Sequence, residues 1–345
     1  MPDRNIHGST RGPRLLLGAK SILAALAAFA ACSTGLTASA TTGTPAGTAP
    51  ASASPQLFPK SIFDHSVRSQ PVAANSAMLV ANLVLADLVK QSHTIYKQVG
   101  VNQKPIFTVP ANQPLVPVSV ARGCHNNFLS SAGTAIPIPP GAYNSNSSDN
   151  DLIVSQPSTG RDWELWRATQ TNGQWSACWG GGMNTLTSSG VFPYPFGESA
   201  SGISYLATTT TEADVASGQI NHAIAMQIET CNGYTAPADR TDCGSHPGSP
   251  SEGTWFRMPA STPMPAGLTP FARMVFRALQ QYGAVVLDRA GAVMIQGENS
   301  ADWAFEGHTG TDPITAASAG KPEYQVLNGI PWSHLQVILP PAASG

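Results

Sequence analysis

Two carboxylates and three indoles crowd one short stretch of this sequence. Asp162 and Glu164 are two residues apart, Trp166 follows, and Trp175 and Trp179 lie just beyond. Between them Asn172-Gly173 separates two alternating runs, the strongest short-range signal for a two-residue β-hairpin. Such a loop sets Trp166 opposite Trp179, Ala168 opposite Ala177 and Gln170 opposite Trp175. Because side chains alternate along a strand, one face should carry Asp162, Glu164, Trp166, Gln170, Trp175 and Trp179. The other should carry Trp163, Leu165, Arg167 and Cys178. Indoles stack on the apolar C–H faces of sugar rings, and carboxylates accept hydrogen bonds from sugar hydroxyls. Two acidic groups can also serve as acid and base on a glycosidic bond. The same aromatic cluster also reads as ordinary sheet core, with the carboxylates at its rim, and both readings stay open.

Four further polar residues stand out. His222 interrupts the apolar set Ile220, Ile224, Met226, Ile228. It reads either as a buried histidine bonded to backbone or as a base or proton shuttle at a cleft rim. Arg240 and Asp242 share a loop bounded by Pro and Cys, where they can pair with one another or orient a substrate through the guanidinium fork. Arg257 follows Trp255 and Phe256 in a short strand, as a structural partner or a binding residue. The catalytic candidates are therefore Glu164, Asp162 and His222. The substrate-binding candidates are Trp166, Trp175, Trp179, Arg240 and Arg257.

Other chemistries lack their motifs. No C-x-x-C or H-E-x-x-H spacing occurs, so no metal site is expected. Gly197 to Gly202 lacks the spacing of a nucleophile elbow, and no helix opens behind Gly180-Gly181-Gly182 to hold a phosphate. No cofactor is expected.

Composition narrows the partners. Only 11% of the 345 residues are charged, with 18 Lys plus Arg against 20 Asp plus Glu. A usual share is about 25%. The absence of a basic excess argues against nucleic acid, and the 42% hydrophobic content argues against a disordered chain. Arg4, Arg11, Arg14 and Lys20 precede an apolar, Ala-rich stretch from Ile22 to Ala31, so residues 1–31 read as an export signal. Phe29-Ala30-Ala31-Cys32 is close to a lipobox, making Cys32 a lipidation candidate and a lipid anchor the expected link to membrane. Thr37-Ala38-Ser39-Ala40 offers the competing cut of ordinary secretion. Removing residues 1–31 discards four cations and one anion (Asp3), leaving a mildly acidic chain. Residues 32–56, nearly all Ser, Thr, Ala, Gly and Pro, read as a flexible spacer.

Residues 57–345 read as a single domain. Four cysteines remain after Cys32. We expect disulfides Cys124–Cys178 and Cys231–Cys243, as suits an exported chain. Helices are expected over Asn75 to Lys90, largely buried, over Pro270 to Tyr282 behind Thr269 and ahead of Gly283, and as a short turn from Glu212 to Ser217. Nine short segments read as strands: 115–121, 152–155, 162–170, 174–180, 220–228, 254–258, 284–287, 292–296 and 335–339. That pattern predicts a mainly β fold, an antiparallel β-sandwich of jelly-roll type with two or three accessory helices.

The strings Trp163-Glu164-Leu165-Trp166, Trp175, Glu198 to Ile203, Gly218 to Ala223, Pro237 to Arg240, Trp255 to Met258 and Tyr282-Gly283 follow one another in a fixed order. The series resembles that of a group of secreted soil-bacterial proteins, YELW, W, ASGLP, GxIxHAL, PAxR, RFRL and YG. The resemblance runs from about Ile62 to Trp303. It implies export, puts Glu164, His222, Arg240 and Arg257 at motif positions, and implies no reaction. Ser201-Gly202-Ile203-Ser204 departs from the Gly-Leu-Pro form. The expectation is thus an exported, surface-tethered carbohydrate-active protein that acts on or binds a polysaccharide or cell-wall glycan. The alternative is a non-catalytic surface lipoprotein, a glycan-binding or structural module.

Overall fold

The computed structural model describes residues 57–88, 96–98, 103–124 and 127–341, all within one compact unit, Ser52–Gly345. The expected export signal, Cys32 and the spacer lie outside the described residues, as do Val89 and Lys90 of the expected first helix.

The chain is mainly β, in three mixed sheets. The first has six strands in the order β1 (Tyr96–Gln98), β13 (Met294–Gln296), β10 (Ile224–Ile228), β12 (Ala284–Arg289), β11 (Trp255–Arg257) and β14 (Gln336–Ile338). The second orders β2 (Ile106–Thr108), β5 (Leu152–Gln156), β6 (Arg161–Trp166) and β9 (Trp179–Asn184). The third orders β4 (Ala135–Ile136), β3 (Val116–Val120), β8 (Gln174–Ala177) and β7 (Thr169–Thr171). Each of the nine expected segments contains a strand.

Pairing is not uniformly antiparallel: β1–β13, β10–β12, β2–β5 and β3–β8 run parallel. The sequence carries the reason in β10 and β12. Ile-Ala-Met-Gln-Ile and Ala-Val-Val-Leu are nearly unbroken apolar runs, as strands buried on both faces require. Their alternation splits two cores. Ile224, Met226, Ala284 and Val286 join one with the helix α4 (Pro270–Gln281). Ala225, Val285 and Leu287 join the other with Ile106, Ile153 and Met183 of the second sheet. The opposite face of that sheet, Phe107, Leu152, Val154, Trp163 and Leu165, meets Val118, Trp175 and Ala177 of the third sheet in a third core.

Helix α4 begins as its sequence dictates. The Thr269 side chain accepts from the Ala272 amide and Pro270 occupies the first turn. Phe271, Val275, Ala278 and Leu279 are fully enclosed. The Glu212–Ser217 turn is likewise helical. Thr211 and Asp214 form a reciprocal capping box and Gly218 closes it in the left-handed region at φ 81°. The first expected helix departs from its reading. It is α-helical over Ser76–Asn82 and continues as a π-helical turn, Leu83–Leu88. Val80 and Leu83 are buried, but Met78 and Leu85 are exposed, so the apolar run covers the core with one side only.

Both expected disulfides form, Cys124–Cys178 with Cα atoms 5.1 Å apart and Cys231–Cys243 at 5.4 Å. They fit an oxidising compartment. Among the described residues no helix is long and apolar enough to cross a membrane.

Candidate binding cleft

The hairpin centred on Asn172-Gly173 has the expected register over two ladders. Gln170 pairs with Trp175 across β7 and β8, and Trp166 with Trp179 across β6 and β9. Between the ladders the ribbon turns a corner and passes from the second sheet to the third. Arg167 sits in the left-handed region at φ 51°, and its amide and that of Ala168 donate to the Asp149 and Asn150 carbonyls. The corner breaks the simple alternation. Trp175 is therefore buried in the third core with Trp163 and Leu165, away from the expected polar face. Gln170 is exposed. The assignment of Trp175 as a sugar-stacking residue needs correcting: its indole is a core side chain.

Trp166 and Trp179 remain half-buried and line a cleft of about 350 Å³. The Trp166 Nε1 donates to Asp149 Oδ1 at 3.1 Å, and the Arg167 guanidinium lies 4.3 Å from the Trp166 ring centroid. Trp179 stacks on Phe196, ring centroids 5.9 Å apart and planes at 22°. The opposite walls come from Glu198 to Ala200, from Gln227 on β10, from Asp288 and Arg289 at the end of β12, and from Arg240 and Asp242. A neighbouring cavity of about 310 Å³ shares Lys104, Asp149, Gln227 and Arg289 with it and extends past Ser147, Asp151 and Gln296.

A buried cation anchors the floor. Lys104 Nζ donates to Asp151 Oδ2 at 2.8 Å and to Glu198 Oε1 at 2.7 Å, and stands 4.0 Å above the Tyr205 ring. Burial opposes its charge, but the two carboxylates more than offset that and raise its pKa. Burial and then Asp151 push Glu198 well above the ordinary carboxylate range. Tyr205 continues the network: its hydroxyl accepts from Gln227 Nε2 at 2.9 Å and donates to Asp288 Oδ2 at 3.1 Å.

Arg240 reaches the cleft wall and also builds it. Its Nη2 donates to the Gly197 and Ser199 carbonyls at 3.2 and 2.9 Å, and its Nη1 to Asp239. Gly202 allows this approach: at φ 82° a Cβ would fall 2.6 Å from the Arg240 Nη1. The glycine run at 180–182 also has a packing role. A Cβ on Gly181 in β9 would lie 2.8 Å from the Gly197 nitrogen, so the loop that brings Glu198 to the cleft needs that position bare.

The three residues expected to do acid/base work do not line the cleft. Asp162 and Glu164 share one face of β6, as read from the sequence, but both are fully buried. Glu164 Oε1 accepts from Ser204 Oγ at 2.7 Å and from the Leu206 amide at 2.9 Å. Neither Asp162 oxygen meets a partner in hydrogen-bond geometry. Burial, then the neighbouring Glu164, raises the Asp162 pKa well above its usual value, and burial raises that of Glu164. His222 lies ahead of β10. Its Nε2 is 3.2 Å from Asp214 Oδ2 and its Nδ1 is 2.9 Å from the Ala223 carbonyl oxygen. These contacts bind the strand entry to the capping box of the Glu212–Ser217 helix. Arg257 is a clamp. Its Nη1 donates to the carbonyls of Val67, Arg68 and Gln70, and its Nε and Nη2 to Gln336 Oε1.

Of the expected site residues, the cleft gathers Trp166, Trp179 and Arg240. It also gathers Lys104, Glu198, Gln227 and Asp288, which the sequence reading did not propose as site residues. A signal for two of them was present: Gln227 and Asp288 are the polar interruptions of otherwise apolar strands. Comparison with family models, curated proteins and solved structures finds no match to this chain.

Proposed function

We propose that this is an exported carbohydrate-binding protein, tethered through a lipidated Cys32, whose cleft holds a stretch of polysaccharide against Trp166 and Trp179. The observation that carries the reading is the pairing of these two half-buried indoles at one ladder position beside a wall of hydrogen-bonding groups. Ligand sites combine apolar and aromatic surface with a few convergent polar groups in roughly 300–1,000 Å³. The cleft supplies that combination, and the neighbouring cavity, which shares Lys104, Asp149, Gln227 and Arg289 with it, adds further polar groups, which suits a chain ligand better than a single small molecule. The second and third sheets, packed face to face over the third core, support reading the scaffold as a β-sandwich with the cleft beside it.

Asp162 and Glu164, the pair expected to act on a glycosidic bond, are sealed from the cleft, which removes that form of hydrolysis. An acid and a base must flank the bond they break. The carboxylates that do line the cleft, Asp149, Glu198, Asp242 and Asp288, serve in this reading as acceptors for sugar hydroxyls. The test is a polysaccharide array scored for both retention and product release, with wild type against Glu164→Gln. Retention by both proteins without release supports a binding module. Product release by wild type would restore the glycosidase reading.

A further inference from the structure

Beside the cleft, Asp242 and Asp288 of its wall and the enclosed Glu252 are three carboxylates that, among the described residues, no basic side chain engages through a hydrogen bond. One carboxylate oxygen each from Asp242, Glu252 and Asp288 lies within 4.8 Å of the others. We propose that these three residues form a binding site for one divalent cation of the hard, oxygen-seeking class, Ca²⁺ foremost. Ca²⁺ takes oxygen ligands at about 2.3–2.6 Å, so oxygens around one ion stand at most about 5 Å apart. The observed grouping satisfies that limit.

The independent observation is Glu252. Its side chain is fully enclosed, 0% exposed, and neither carboxylate oxygen meets a partner in hydrogen-bond geometry, the Thr241 hydroxyl and the Asp242 carboxyl being the polar groups that face it. A buried carboxylate without a partner is costly unless a counter-charge meets it. The nearest arginines are directed elsewhere. Arg240 donates to Gly197, Ser199 and Asp239, and Arg289 Nη1 points to the Asp242 carbonyl oxygen at 3.4 Å. A cation seated among the three carboxylates supplies the missing charge.

Each ligand is held by its own support. The Cys231–Cys243 disulfide fixes the residue next to Asp242, and the Thr241 hydroxyl accepts from the Cys243 amide at 2.9 Å. Glu252 is bonded through its backbone to Gly233 and Thr235. Asp288 stands on β12 opposite Gln227 of β10. Three separately anchored segments thus present their carboxylates without needing to fold around the ion. Asp242 is exposed, which leaves an entry path and open coordination positions for water. The donor set sets the ion class. All three ligands are oxygens, and the adjacent Cys231 and Cys243 sulfurs are closed in a disulfide and offer no thiolate to zinc. The inference stands whether or not the cleft binds carbohydrate, because its test contains none.

The disulfide-bonded full-length protein is treated with chelator, dialysed, and titrated calorimetrically with CaCl₂, with ZnCl₂ in parallel. The expected result is one Ca²⁺ per chain, with a Kd of about 10⁻³ M or tighter, and a melting temperature that rises with Ca²⁺. Asp242→Asn, a surface change, should weaken binding about tenfold or more while leaving the cation-free melting temperature unchanged. Glu252→Gln should abolish binding without lowering that melting temperature, since it removes the buried charge. No binding by folded wild type at about 10 mM Ca²⁺ would overturn the proposal. So would unchanged affinity in both variants, or tighter binding of Zn²⁺ than of Ca²⁺.

Discussion

Trp166 and Trp179 face one another at the last pair of the β6–β9 ladder, one residue before the ribbon turns its corner at Arg167. The corner gives these two indoles a fate different from their neighbours. Before it, Trp163 and Leu165 enter the third core, and beyond it Trp175 and Ala177 enter the same core. At the corner the indoles stay half-buried and line the cleft, Trp179 also resting against the third core. The aromatic wall of the cleft is thus made by a change of sheet within one hairpin.

That division predicts opposite outcomes for two tryptophans. Trp175→Ala should lower stability by about 3–5 kcal/mol, the usual cost of emptying a buried aromatic site. Trp166→Ala should cost far less, because its indole is already half in water. Chemical denaturation of the two variants beside wild type measures the difference. Equal losses would mean that Trp166 is core as well.

The buried pair on β6 has a pH signature. Burial raises both pKa values, and a carboxyl with a raised folded pKa makes stability fall as pH climbs above its unfolded value near 4. Asp162→Asn removes that cost and keeps an oxygen able to accept from the neighbouring Ser204 hydroxyl and Trp163 amide. The variant should gain stability at pH 7 and gain less at pH 4. Melting curves at the two pH values read this directly. A variant less stable than wild type at pH 7 would mean that Asp162 is ionised and paired.

His222 and Asp214 titrate in the opposite sense. Burial opposes the His222 charge, but the bond to Asp214 outweighs it and raises the pKa; Asp64 contributes in the same direction. The Asp214 pKa is lowered: burial opposes this, but the hydrogen bond and charge of His222 and the bonds from Thr211 prevail. The histidine contribution is therefore complete below about pH 6.5 and fades as pH rises through its folded value. The aspartate contribution is complete above about pH 4 and is lost as pH falls through its own. Their joint effect is greatest between those limits. His222→Gln should flatten the stability profile above about pH 6.5, and an NMR titration should show the His222 ring titrating higher than an ordinary histidine.

How far the sequence carried these conclusions depends on the range of the signal. Local signals sufficed for the hairpin register at Asn172-Gly173, the Thr269 and Gly283 ends of α4, the two disulfides and the nine strand segments, but not for β1, β2 and β4, whose two or three residues are too short to show a period. The corner at Arg167 was not legible. A non-glycine residue at positive φ carries no compositional mark, and its backbone partners, Asp149 and Asn150, come from another loop. The Lys104–Asp151–Glu198 triad was hidden for a related reason. Its members are spread along the chain, and only folding shows that each stands near an opposite charge in a buried place. The face shared by Asp162 and Glu164 was read correctly. Their exposure was not, because the second sheet is covered on both faces, by the second core on one side and the third on the other.

The central claim is that the Trp166–Trp179 pair holds a glycan. The direct measurement is the retention of wild type, Trp166→Ala and Trp179→Ala on an array of cell-wall polysaccharides, with melting temperatures recorded alongside. Wild type should be retained by at least one polysaccharide. Each substitution should weaken retention by about tenfold or more, as loss of one central aromatic contact worth about 1.4 kcal/mol or more would do, with the fold intact. Wild type retained by no polysaccharide, or both folded variants retained as tightly as wild type, would contradict the account.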